Sequence, residues 1–120
     1  MPELPDVVVY CEALDRYITG RELTRVRLAN PFILRSVTPP LDAIVGRTVQ
    51  GVRRMGKRIV IDFGDQLYLV LHLMIAGRLR WRPIGGKVPG KLGIAYFDFP
   101  HGILILTEAG TKRRASLTLV

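Results

Sequence analysis

Residues 58–73 read RIVIDFGDQLYLVLHL. Two runs rich in Ile, Val and Leu, Arg58 to Phe63 and Gln66 to Leu73, flank Gly64-Asp65, a pattern that predicts two antiparallel strands joined by a tight turn. Within the first run, alternation sends Ile59, Ile61 and Phe63 to one side and Arg58, Val60 and Asp62 to the other. The same signals continue outward in both directions. Short extended segments bounded by Gly, Pro and Asp are predicted at Glu22 to Leu28, Arg47 to Arg54, Gly77 to Arg82, Leu92 to Phe99, Ile103 to Thr107 and Ala115 to Val120, with a second turn at His101-Gly102. In Gly77 to Arg82, Leu79 and Trp81 share one face and Arg78, Arg80 and Arg82 share the other.

Before these strands, Val7, Cys11, Leu14 and Ile18 recur at helical spacing, with Pro5 suited to the first turn and Gly20 to the stop. A short helical piece is expected near Leu41 to Val45. The expected fold is therefore α+β but mostly β. It is a β-sandwich or flattened barrel of about eight strands, with an N-terminal amphipathic helix and one short helix. Residues 1–120 form a single domain by this reading. The Gly- and Pro-rich stretch Pro83 to Lys91 reads as a loop.

Composition bounds the function. With 48% hydrophobic and 23% charged residues, the 120-residue chain belongs with folded proteins rather than disordered ones. Its longest apolar stretch, Leu67 to Ala76, is interrupted by His72 and is too short to cross a bilayer. Pro2, Glu3, Pro5 and Asp6 stand where a secretory leader needs basic and then apolar residues, so the chain is expected in the cytosol or nucleoid. One cysteine, Cys11, forms no internal disulfide, and with only His72 and His101 beside it no structural metal is expected.

Lys and Arg number 18 against 10 Asp and Glu, a net charge of +8 that favours a polyanionic partner. Most of the cations are Arg, whose planar fork binds phosphate oxygens in pairs. They concentrate in three clusters, Arg47 to Arg58, Arg78 to Arg82 and Lys112 to Arg114, which a sheet could gather into one groove. The alternative for any one cluster is a solvated strand face.

The terminus Met1-Pro2-Glu3-Leu4-Pro5-Asp6-Val7 crowds two prolines and two acids where most domains carry disposable residues. Removal of Met1 exposes at Pro2 a secondary amine with an α-amino pKa near 8. Such an amine is nucleophilic near neutral pH, and its attack on a sugar C1′ gives an iminium that keeps its positive charge without protonation. Glu3 next to it is a candidate general acid, provided burial raises its pKa. The plainer alternative is that Pro5 and Asp6 start the helix and Pro2 and Glu3 are a frayed leader.

Met-Pro-Glu-Leu-Pro-Asp-Val resembles the N-terminal signature of the formamidopyrimidine-DNA glycosylase and endonuclease VIII family. Arg53-Arg54-Met55-Gly56-Lys57 looks like that family's basic-Gly/Ala-Lys segment. His72-Leu73-Met74-Ile75-Ala76-Gly77 is similar to its void-filling hairpin. The resemblance covers the whole chain as the family's N-terminal catalytic domain, a β-sandwich with flanking helices. It implies a DNA glycosylase with AP-lyase activity in base-excision repair, acting on double-stranded DNA that carries a damaged base or an abasic site.

By this resemblance Pro2 is the Schiff-base nucleophile, Glu3 the general acid/base and Lys57 a phosphate-contacting helper. Arg53, Arg54 and Arg58 would hold phosphates beside an extruded nucleotide, and His72, Met74 and Ile75 of the hairpin would meet the DNA. Lys112, Arg113 and Arg114 would do so from the region where the family has an Asp-Pro-Arg-Arg-Phe-Gly loop, which this sequence lacks. Other departures are Asp6 for the usual Glu, Val8 for an acid, and Ile75 where the family often has a wedge methionine. The family's helix-two-turn-helix and finger, with its zinc where present, lie beyond this chain's length. No cofactor is expected within it, and full activity is expected to need that missing region.

Two other classes compete on the residues alone. One is a non-catalytic nucleic-acid-binding β module using its arginine faces. The other is an interaction domain whose C-terminal strand offers an open edge to another chain. Among smaller features, His72 between apolar neighbours reads as a hydrogen-bonded core residue. Cys11 reads as part of the helix stripe, Trp81 as packing, and Tyr96, Phe97 and Phe99 as sandwich core.

Overall fold

The computed structural model describes residues 4–29, 33–36, 40–73, 77–83, 93–108 and 115–120, with the side chains of residues 4–6 left aside. Helix α1 runs Leu4–Ile18. Its stripe of Val7, Cys11, Leu14 and Ile18 is buried as the spacing predicts. Each such aliphatic side chain contributes roughly 1.5–3 kcal/mol on burial. The helix stops at Thr19-Gly20, where Gly20 takes φ +83°, a left-handed conformation only glycine adopts cheaply.

Eight strands follow: β1 (Arg25–Leu28), β2 (Gly51–Met55), β3 (Arg58–Asp62), β4 (Tyr68–His72), β5 (Gly77–Pro83), β6 (Gly93–Phe99), β7 (Gly102–Glu108) and β8 (Ser116–Leu119). They form two four-stranded antiparallel sheets, ordered β1-β6-β7-β5 and β2-β3-β4-β8. The sheets are separate and share one core, so the molecule is the sandwich and not the barrel. The short helical piece is a 3-10 turn, Leu41–Ile44, that buries Ile44.

Two predicted strands are shorter than their apolar pattern because each changes partner midway. The chain at 21–23 pairs with 46–49 through Leu23 N–H to Arg47 O (2.9 Å) and Val49 N–H to Arg21 O (2.9 Å). Beyond it, Thr24 N–H reaches Asp98 O (2.8 Å) and β1 joins the other sheet, while β2 pairs with β3. Alternation was blind to this switch because both halves stay extended.

In β3, Ile59, Ile61 and Phe63 face the core as expected, but Val60 on the opposite face is also only 2% exposed. Its cover comes from a neighbour across the sheet. The Arg53 guanidinium lies 5.3 Å from the centroid of the Tyr68 ring two strands away, so its aliphatic stem crosses β3 at this row. Tyr96 is likewise buried on the outward face of its own sheet, beneath Arg27 at 4.9 Å, whereas Phe97 and Phe99 are true core.

Candidate nucleic-acid interface

The turn between β2 and β3 is the two-residue loop Gly56-Lys57. Gly56 sits at φ +62°, the positive value a primed hairpin turn demands at its first central position. Arg54 Nη1 donates to the Gly56 carbonyl at 3.1 Å and steadies the loop, which leaves Lys57 exposed at the tip. Register carries this turn into the rest of its sheet, since Met55 pairs with Arg58, Arg58 with His72 and His72 with Ser116. Arg58 and His72 therefore stand side by side on the outward face.

Two connections cross from this end of the sheet to the other one. Gly77 N–H donates to Leu73 O at 2.9 Å, closing the base of the 74–76 segment. A Cβ at Gly77 would lie 2.3 Å from that same oxygen, so only glycine permits the approach. Ala115 N–H donates to Glu108 Oε2 at 2.9 Å, tying together the two ends of the 109–114 segment. Gly77 and Glu108 are register partners in β5 and β7, so the two bases are adjacent. Glu108 is 1% exposed, a buried carboxylate recruited by this closure.

Helix α1 points its N-terminal end the same way. At its C-terminus, Gly20 N–H donates to Val49 O (2.8 Å), and His101 Nε2 lies 2.6 Å from Tyr17 O in the β6–β7 turn at the far end of the sandwich. A carbonyl only accepts, so Nε2 carries the proton. Trp81 stacks on Tyr17 at 5.2 Å and contacts His101 at 4.8 Å, a packing role as expected. Halfway along the helix Cys11 feels the Arg54 charge near the end of β2. Burial nevertheless pushes its thiol pKa up, Arg54 pulls it down and Glu12 raises it, so Cys11 is an inert core residue. Leu4 is thereby carried toward the Lys57 end.

The predicted site residues thus divide. Lys57, Arg53, Arg54, Arg58 and His72 belong to the β2–β4 end just described, but Arg53 and Arg58 face outward while Arg54 shares the face of Ile59 and Leu71. Pro2, Glu3, Met74, Ile75, Lys112, Arg113 and Arg114 lie outside the described residues, as does most of the predicted loop from Pro83 to Lys91. His72 is half-buried on the outward face rather than in the core. Leu71 and Leu73 take the core positions around it. Burial, then the Arg58 charge, holds its pKa below the ordinary histidine value.

The arginine clusters do not share one sheet, because Arg53 to Arg58 lie on β2 and β3 and Arg78 to Arg82 on β5 of the other sheet. Arg47 leaves its cluster altogether, bonded to Ala43 O (3.0 Å) and to Asp65 (2.7 Å) at the far end. Strand β8 is not an open edge, since Arg35 N–H donates to Leu117 O (2.8 Å) and Leu119 N–H to Ser36 Oγ (2.9 Å). Sequence reasoning missed Tyr68 and Glu108. A lone acid ending the apolar run Ile103 to Thr107, just before a cationic stretch, was the available signal for Glu108.

Among the described residues no three His, Cys, Asp or Glu side chains gather as a metal site, and no helix is long and apolar enough to cross a membrane.

Residues 1–113 match a family model described as the formamidopyrimidine-DNA glycosylase N-terminal domain. The formamidopyrimidine-DNA glycosylase of Variovorax paradoxus is 36% identical over 113 residues, covering 94% of this chain and 38% of that protein. That of Aromatoleum aromaticum is 40% identical over 81 residues, 67% of this chain and 30% of that protein. The chain spans about a third of the length of these curated relatives. A crystal structure of a mutant Lactococcus lactis FPG with Fapy-dG containing DNA superposes with a TM-score of 0.90 at 25% identity, over 99% of this chain and 43% of that one. A complex of L. lactis Fpg with abasic-site containing DNA gives 0.89 at 24% identity, over 98% and 43%.

Proposed function

The chain belongs to the formamidopyrimidine-DNA glycosylase family, and from that premise we propose that it is the catalytic portion of a base-excision enzyme that removes a damaged base from duplex DNA and cleaves the resulting abasic site. The observation that carries this reading is the convergence, at one end of the sandwich, of the Lys57 turn, the N-terminal end of α1 and the bases of the 74–76 and 109–114 connections. A nucleotide extruded toward that end would meet the Lys57 turn and the end of the sandwich toward which the start of α1 is directed.

In the proposed reaction the Pro2 nitrogen, freed of Met1, attacks C1′ of the extruded nucleotide. The C1′–base bond breaks, and the base leaves with the proton the amine gives up. Protonation of the ring oxygen, assigned to Glu3, opens the sugar to the C1′ iminium. The Glu3 carboxylate left by that transfer then takes a C2′ proton, and the 3′-phosphate departs with its bonding electron pair, the iminium acting as electron sink. Lys57, exposed on a turn braced by Arg54, is suited to a flanking phosphate. Extrusion costs a few kcal/mol, which phosphate contacts from the basic end offset.

Borohydride reduction in the presence of abasic-site duplex should trap a covalent protein–DNA adduct, and retention of Met1 should abolish it. Salt-sensitive binding without an adduct, both in this chain and in one joined to the C-terminal part of a full-length relative, would overturn the enzyme reading in favour of a binding module.

A further inference from the structure

Register in the sheet β1-β6-β7-β5 places Arg78, Arg80 and Arg82 opposite Thr107, Ile105 and Ile103 on the outward face, while Leu79 and Trp81 face inward opposite Leu106 and Leu104. The three arginines thus form a row, as alternation in the sequence predicts. The row lies on β5, an edge strand of its sheet. Arg80 is exposed and Arg82 half-buried. Arg78 Nη1 donates to Gly77 O at 2.8 Å, fixing the start of the row at the base of the 74–76 connection. The one acid on the strands of this face is Asp98, and it is held by Arg27 at 2.9 Å on the opposite edge. Neither Arg80 nor Arg82 faces a carboxylate across the ladder.

Alternate residues of a strand stand about 6.6 Å apart, so the row extends roughly 13 Å, the length of about four base-pair steps of duplex. Each guanidinium offers a planar fork that takes two phosphate oxygens. The row starts at the candidate reaction end and runs away from it along the outside of the sandwich. We propose that Arg78, Arg80 and Arg82 form a phosphate track that holds the DNA backbone on one flank of the lesion, outside the reaction site itself. This inference rests on the DNA reading above.

The test measures equilibrium binding of this chain to a duplex carrying a non-cleavable abasic-site analogue across a salt series. Arg80→Gln/Arg82→Gln should lower the slope of log affinity against log salt by about 2, close to one released counterion per arginine, with roughly a tenfold or greater loss at low salt. Arg16→Gln/Arg21→Gln removes the same charge from exposed positions on or just after α1 and should leave the slope nearly unchanged. A second measurement needs no substitution. Trimming about four base pairs from one flank should lower the wild-type slope similarly and leave that of the Arg80/Arg82 variant unaffected. If both double variants lose equally, or neither loses, the row is a solvated edge and the track is overturned while the DNA reading stands. If the wild-type chain binds no abasic-site duplex, both fall.

Discussion

At the residue scale, single positions hold the Lys57 end of the sandwich together, and their roles differ in kind. Gly77 is there because nothing larger fits beneath Leu73 O. Gly77→Ala should destabilise the fold by about 1–3 kcal/mol, the usual range for forced overpacking, read as a lower urea midpoint. An unchanged midpoint would contradict the close approach. His72 is held neutral by burial and then by the Arg58 charge, so its folded pKa lies below the ordinary 6.5. The unfolded chain therefore takes up the proton first, and stability falls as pH drops below the ordinary value. An NMR titration should place the His72 midpoint under 6.5, with Arg58→Gln moving it upward. His72 shows what sequence can and cannot say. Its apolar neighbours pointed to the core, but alternation in a strand with one covered face puts every second residue outside, and only the pairing tells which.

Whole elements were the most legible feature. Helix α1 and all eight strands stand within a few residues of their expected places because burial of one face imprints a period on the sequence. Pairing was not legible, since β1 beside β6 and β5 beside β7 are contacts between distant segments that no local pattern encodes. The same holds for Glu108, whose bond from the Ala115 N–H ties β7 of one sheet to the start of β8 in the other. Glu108→Ala should cost about 1–3 kcal/mol by leaving the Ala115 N–H without its acceptor, while Glu108→Gln, which keeps an acceptor oxygen, should cost less. Equal losses would show that the hydrogen bond is not what the carboxylate provides. Leu14→Ala on the buried stripe of α1 should cost about 2–5 kcal/mol, confirming that the helix is anchored by its apolar face.

At the scale of the molecule, the sandwich has two unlike ends. At the far one, Tyr17, Trp81 and His101 pack together and Arg47 is neutralised by Asp65. The other end collects the Lys57 turn, the N-terminal end of α1 and two sheet-to-sheet connections whose residues the sequence marked as DNA-facing. Charge alone implied a polyanion but spread its carriers over one imagined groove. The fold instead puts Arg53 and Arg58 on the outward face of one sheet and Arg78, Arg80 and Arg82 on that of the other, with Arg54 on the opposite face and Arg47 at the far end. Topology thus gives a diffuse basic composition two unlike ends, and the proposed reaction belongs to the one with the Lys57 turn.

In the proposed reaction this end of the sandwich receives a sugar carbon that the Pro2 amine attacks. The direct measurement is mass-spectrometric mapping of the protein–DNA adduct after borohydride trapping and proteolysis. A deoxyribose-derived mass is expected on the peptide that begins at Pro2. Attachment at Lys57 or any other lysine, with the Pro2 peptide unmodified, would contradict it.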